Sequence, residues 1–497
     1  METSPAVPKG ESKISPWLYV PSLYFAEGVP YILINAVSVV IYKRLGVQND
    51  DIAFWTSWLY LPWVIKMFWS PAVDLYSTKR RWVYSMNILM GAALGATALA
   101  LGMPNFLYPS LAFFFLGAFI SATQDIAIDG FYMLSLSSSQ QAFYTGIRVA
   151  FYRLAMIFGT GAVVWAGGVF EQTMPVKLAW SVALGLCGGI LALLGVYHKF
   201  ALPKVEAGGP SSTRELLENV GKPLFKMVVG LGAAWWLSGK IAPFIGLSHG
   251  WALTLLCAAL AAAAYGYYSS REKAASGGGE EQFIEVFHSY FSRPGIWAMV
   301  SFILLYRFGE AMILKIAPLF ALDVVTKGGL GLSPQQYGVI YGTLGIIAMM
   351  AGGVLGGWIV SKYGFRKSVW PLTVALILPN ALYIYIAMHA PSIWLVYLVV
   401  IVEQFGIGMG YTAYTIYLMF TAKGKCKTSH FAISTGIMAL GMMIPGMISG
   451  KLQMAMGYPL FFTIAFLLTI PGMLTLLIIP TSGIDEKDSP AGSAPAH

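Results

Sequence analysis

Ala122-Thr123-Gln124-Asp125-Ile126-Ala127-Ile128-Asp129-Gly130 lies near the end of an otherwise almost wholly apolar run, residues 107–133. A run above the ~20 residues that a helix needs to cross hydrocarbon reads as a membrane span. Its two carboxylates are the informative exception. Each ionisable group in a span costs at least ~2.5–3.5 kcal/mol, so it persists where it meets water, a partner or a function. Asp125 and Asp129 are four residues apart and share one helix face.

The pattern repeats outward from this run. Apolar stretches at 17–41, 52–73, 83–103, 143–169 and 177–198 complete a first group of six. A second group occupies 295–322, 335–361, 368–389, 392–420, 430–455 and 458–480, and a further pair lies between, at 223–243 and 250–269. The reading is an all-α polytopic membrane protein of two six-helix repeats plus two extra transmembrane helices, about fourteen spans. The alternating segments of a membrane β-barrel are absent from the sequence. Composition agrees: 57% of residues are hydrophobic and 11% charged, against roughly 25% charged in soluble domains. The expected organisation is an N-terminal bundle (1–200), a linker (201–294), a C-terminal bundle (295–482) and a cytoplasmic tail (483–497). The linker holds the extra pair and an amphipathic segment, in which Phe283, Val286, Phe287 and Tyr290 share a helix face.

The net charge of +9 sits largely in short loops: Lys79, Arg80 and Arg81; Lys362, Arg366 and Lys367; Lys423, Lys425 and Lys427. Alternation puts these loops on one side, which makes that side cytoplasmic, with both termini there and the chain in the inner (plasma) membrane. A topological role for the basic residues leaves no case for nucleic acid. Lys43 and Arg44 fall on the opposite side, followed by Asp50 and Asp51. Cys187 and Cys257 lie in apolar runs and Cys426 in a basic loop, so neither a disulfide framework nor a metal site is expected. Residues 1–16 lack the apolar core of a cleaved signal. No GxSxG, HExxH or P-loop occurs, so the expectation is a non-enzyme without cofactor.

The remaining acids inside spans are Glu27, Glu310 and Glu403; the bases are Lys66, Arg148, Arg153, Arg307, Lys315 and Lys451. All five acids fall in the first or fourth span of a six-span group. Two neighbouring carboxylates resist being charged together, so Asp125 and Asp129 are candidate proton carriers, with Glu27 and Glu310 beside them. Arg148 and Arg153, on the fifth span, are placed to neutralise that pair or to hold an anionic substrate. Arg307 and Glu310, at i and i+3, are placed to pair and to part when substrate arrives. Glu27-Gly28-Val29-Pro30 predicts a kinked or locally unwound first helix. Tyr31, Gln124 and Glu403 join Arg148 and Arg307 as candidate substrate contacts.

Two elements at equivalent places in the halves point to a family. Gly357-Trp358-Ile359-Val360-Ser361-Lys362-Tyr363-Gly364-Phe365-Arg366-Lys367 resembles the loop signature of the major facilitators, with Ser361 in place of its Asp. Ser70-Pro71-Ala72-Val73-Asp74 with the following Lys79, Arg80 and Arg81 is a second, degraded copy. Gly357, Lys362, Gly364 and Arg366, together with Asp74, Arg80 and Arg81, are therefore candidate gating-loop residues. More specifically, Phe25–Pro30, Leu61–Asp74, Ala122–Gly130 and Leu304–Glu310 resemble the AmpG muropeptide permeases, relatives of acetyl-CoA transporters and siderophore permeases. The resemblance implies a major facilitator fold in which the first and fourth helices of each half line a central cavity. It implies a proton symporter importing N-acetylglucosaminyl-anhydro-N-acetylmuramyl peptides by alternating access, working as a monomer. Glu27 departs from the neutral residue expected there. The alternatives are a related carrier for a siderophore, peptide or acyl-CoA, and a membrane receptor that binds a cell-wall fragment without moving it.

Overall fold

The computed structural model describes residues 14–66, 69–70, 73, 77–206, 233–234, 237–243, 250, 252, 254, 256, 288–389, 391–422, 427–481 and 484. Every regular element among them is helical, and ten helices are long and apolar enough to cross a membrane. In the first half these are α1 (Pro16–Arg44), α3 (Lys79–Leu101), α4 (Leu107–Ser135), α5 (Ser139–Phe170) and α6 (Val176–Ala201). α2 is shorter, Asn49–Trp58 prolonged past a turn by Leu61–Ile65. The second half holds α7 (Ile296–Leu322), α8 (Pro334–Tyr363), α9 (Phe365–Met388) and α10 (Ile393–Thr421). The segment Lys427–Leu467 is two helices, α11 and α12, that meet at Gly457 (φ 75°), and Thr469–Leu474 continues α12. The described residues thus give six helices and six. Most of the expected extra pair, Phe283, Val286, Phe287 and nearly all of the tail lie outside the described residues, as do Asp74, Arg271, Lys273, Lys423 and Lys425.

Local chemistry sets the ends. Ser137 with Gln140 forms a capping box ahead of α5, and Ser333 with Gln336 does the same for α8. Thr78 caps α3 and Ser392 caps α10. Gly364 (φ 81°) ends α8 and turns the chain into α9, a backbone angle that favours glycine. The expected unwinding at Gly28–Pro30 does not occur, for α1 stays helical through Ile32. Its distortion falls one turn later, in a π-helical turn at Leu33–Val37. Gly28 serves packing instead, since a Cβ there would stand 2.7 Å from that of Ala155 on α5.

The paired small residues pack helices within one molecule, as their number in one bundle suggests. Gly91 on α3 faces Gly188 on α6, while Gly352 and Gly356 on α8 face Phe405 and Met409 on α10, and Gly408 of α10 faces Met349 and Gly353. The two halves touch chiefly at the end of the molecule remote from Lys79–Arg81 and Lys362–Lys367. There α5 and α8 meet through facing π-helical turns, Ile157–Val163 and Gly338–Gly345. A Cβ on Gly342 would lie 2.2 Å from the Thr160 carbonyl carbon, so only glycine permits that approach. Beside it α2 packs against α11, with Gly446 over Ser57 and Gly450 over Asn49 and Asp50.

Candidate functional site

A cavity of about 640 Å³ lies between the halves. Its walls take Glu27 and Tyr31 from α1, Asp125 from α4, Arg307 from α7 and Glu403 from α10, so the first and fourth helices of both halves line it. Lys66, Arg148, Lys315 and Gln404 also face it.

The first half holds a cluster of five charges. The Lys66 ammonium donates to Asp125 Oδ2. Glu27, 8% exposed, lines the cavity beside Asp125, and its Oε2 is buried without a hydrogen-bond partner among the described residues. Two neighbouring buried carboxylates resist being charged together. Asp129 lies one turn away with its own cation, Arg148 Nη1 at 3.1 Å, and accepts from the Tyr24 hydroxyl at 3.2 Å. The Arg148 guanidinium also lies 4.7 Å from the Tyr24 ring centre. Asp125 and Asp129 share a helix face, as their spacing requires, but each is neutralised separately; of the three, Glu27 is the carboxyl without a cation of its own among the described residues.

Gln124 stands apart. It is fully buried and turned from the cavity, donating to the Ala26 carbonyl at 3.1 Å and to Asn87 Oδ1 at 3.0 Å. Asn87 in turn meets His198, which meets Ser22. This buried network ties α1, α3, α4 and α6 together and sets the height of the neighbouring Asp125.

In the second half, α7 breaks at Arg307 (φ −108°, ψ 12°). The break lets Arg307 clamp Glu310 with two hydrogen bonds of 2.9 and 2.6 Å, the pair that their spacing predicts. The same guanidinium lies 5.0 Å from the Tyr411 ring centre. Glu403 is fully buried; Gln404 donates to one oxygen at 2.9 Å and the other has no partner. Tyr31 stands edge-on to Trp63 at 5.1 Å. Among the gating-loop candidates, Arg80 donates to the carbonyls of Leu202 and Lys199 and Lys362 lies over Trp358 and Tyr363, fixing helix ends. Gly357 and Arg366 lie near the same end, and Arg81 gives its backbone N–H to Thr78.

At the opposite end a polar cluster joins the halves. Lys43 pairs with Asp323 at 2.9 Å. Asn49 donates to Gln453 at 2.8 Å and to Tyr458 at 3.0 Å, and the Tyr458 hydroxyl donates to Asp323 at 2.9 Å. Burial alone would raise the Asp323 carboxyl, but Lys43, Tyr458 and Asn49 together hold it below the ordinary carboxylate value. Arg44 is held by Glu171 at 2.6 Å. The two bases that break the loop-charge rule are therefore both neutralised by acids of this end. Lys66, Lys315 and this cluster are the functional candidates that sequence reasoning left out of the site. The signal for the two lysines was a cation inside an apolar run; Asn49 and Tyr458 carry no signal of their own.

Similarity to known proteins follows the same outline. The chain is 22% identical over 470 residues to the anhydromuropeptide permease of Escherichia coli (strain K12), covering 92% of this chain and 78% of that one. It is 22% identical over 473 residues to the putative transporter AmpG 4 of Rickettsia conorii, with 92% and 95% covered. Among solved structures, a POT family transporter in complex with 5-aminolevulinic acid superposes with a TM-score of 0.63 at 13% identity, covering 93% of this chain and 95% of that one. The nucleoside transporter NupG gives 0.57 at 13% identity, with 92% and 97% covered. Residues 22–449 match the Major Facilitator Superfamily, and the chain belongs to that family of membrane transporters.

Proposed function

We propose that this secondary transporter imports muropeptides, N-acetylglucosaminyl-anhydro-N-acetylmuramyl peptides, across the inner membrane in symport with protons. The substrate rests on the likeness to muropeptide permeases and on a cavity rich in both aromatic and charged groups. The proton rests on one observation, the buried and unpartnered Glu27 carboxyl in the same cavity as the Lys66–Asp125 pair. With a proton on Glu27, that residue, Asp125 and Lys66 are together neutral. Without it they carry one negative charge in a low-dielectric cavity, which water or a conformational change must relieve. Asp129 and Arg148 hold a balanced pair beside the site and keep Asp125 from facing a second free carboxylate. The basic loops set the cytoplasmic side, so the halves here are joined at the outer end and the cavity serves release inward. The monomer contains the whole pathway.

The test is uptake of labelled anhydromuropeptide by a strain lacking its own permease, normalised to folded protein, with and without an imposed pH gradient. Glu27→Gln and Asp125→Asn should lose accumulation against a gradient and keep counterflow exchange. Gradient-driven accumulation by both variants overturns the proton site.

A further inference from the structure

Three cations of the cavity region hold carboxylates of their own, while Glu27, Glu403, Arg153 and Lys315 face the cavity without an ion pair among the described residues. Lys66 holds Asp125, Arg148 holds Asp129, and Arg307 holds Glu310. Glu403 has only Gln404. Among the described residues, Arg153 meets only the sulfurs of Met156 and Met349, and Lys315 is the second cation without a carboxylate. It is 6% exposed, lines the cavity, and gives its one hydrogen bond to the Thr56 hydroxyl at 3.1 Å. Its ammonium also lies 5.6 Å from the Tyr60 ring centre. An ammonium taken from water into such a place needs a counter-charge, and a hydroxyl supplies only a dipole.

The position of Lys315 adds meaning to that deficit. It stands on α7 in the second half, while Thr56 and Tyr60 belong to the first. Gly446 of α11 closes over it, where a Cβ would come within 3.2 Å of its Cε and 2.4 Å of Ser57 Oγ. The bond from Lys315 to Thr56 therefore spans the seam at which the halves are joined. Parting the halves at that end removes Thr56 and leaves the ammonium facing the opened cavity with two of its three N–H donors already free.

We propose that Lys315 is the anchor for a substrate carboxylate, and that Thr56 takes its place when the halves close behind the substrate. The reading deepens the muropeptide assignment and rests on it for the scaffold carrying the carboxylate. One ammonium then serves the arriving anion and the closing seam in turn, which ties substrate release to closure.

The test measures binding to purified protein in nanodiscs with matched probes: N-acetylglucosaminyl-anhydro-N-acetylmuramic acid and its neutral methylamide, and a tripeptide and its C-terminal amide. The wild type should prefer the disaccharide acid over its amide by about tenfold, the size of a charge-assisted hydrogen bond. Lys315→Gln should erase that preference and leave amide binding unchanged, and Lys315→Arg should retain it, which also separates the role from a folding defect. If only the tripeptide pair shows a preference that Lys315→Gln erases, the anchor stands and the muropeptide assignment falls. If no pair shows an acid preference that Lys315→Gln erases, the anchor is overturned.

Discussion

At the scale of single residues, the cavity is governed by which charge answers which. Lys66 is the clearest case, for it is the cation that pairs with Asp125. Its side chain and that of Asp125 are 22% and 19% exposed, so the pair is desolvated but not dry. Replacing it by Met strands a buried carboxylate, at a cost of about 3 kcal/mol. Lys66→Met should therefore lower the thermal midpoint in nanodiscs, and adding Asp125→Asn should restore most of the loss. An additive loss in the double variant would show that the two residues do not stabilise each other. Spacing revealed this chemistry only in part. That Asp125 and Asp129 share a face follows from a four-residue interval, and that Arg307 meets Glu310 follows from three. Glu27 and Asp125 lie on different helices, and nothing in either local sequence says that α1 and α4 bring them together.

At the scale of elements, the helices were legible because length and apolarity alone define a span, and their caps sit at Ser and Thr residues of the usual kind. The distortions were less so. Gly28 and Pro30 signal a break, yet tertiary packing against α5 keeps α1 helical through them, and the π-helical turn comes at Leu33–Val37 instead. Two further π-helical turns, in α5 and α8, meet at the seam without any sequence mark beyond glycine. The prediction at this scale concerns Gly342. A side chain there meets backbone atoms, the Thr160 carbonyl carbon at 2.2 Å and the Gly161 nitrogen at 2.3 Å, which have no rotamer with which to yield. Gly342→Leu should hold the halves apart at that end. Spin-label distances between α5 and α8 should lengthen, and uptake should fall while substrate binding persists. An unchanged distance distribution would mean that the seam closes elsewhere.

Across the whole molecule, the Lys43–Asp323 pair and its amide and hydroxyl partners join the halves through residues that lie far apart in the chain. The Asp323 carboxyl is held below its ordinary value of 3.8, so its contribution is complete above that value. It is lost as pH falls through the lower, folded value. Closure should then be flat between about pH 5 and 8 and weaken only in stronger acid. Asp323→Asn should weaken it at neutral pH, match the wild type in strong acid and so remove the acid-dependent step. Spin-label distances between α1 and α12 measure both effects, and an acid-dependent opening that survives in Asp323→Asn would assign the titration to another group.

The neutralisation of the cavity charges has an electrical consequence. In the proposed cycle the proton on Glu27 and one carboxylate on the substrate cross together, and the remaining cavity charges stay with the protein. A monoanionic fragment then carries no net charge across the bilayer. A dianionic fragment carries one, worth about 2.3 kcal/mol for each 100 mV. In proteoliposomes at fixed pH gradient, an imposed membrane potential should leave uptake of the monoanionic disaccharide unchanged and should slow uptake of a dianionic peptide form when the interior is negative. The number of carboxylates on the cell-wall fragment thus decides whether its import feels only the chemical part of the proton-motive force or must also work against the electrical part.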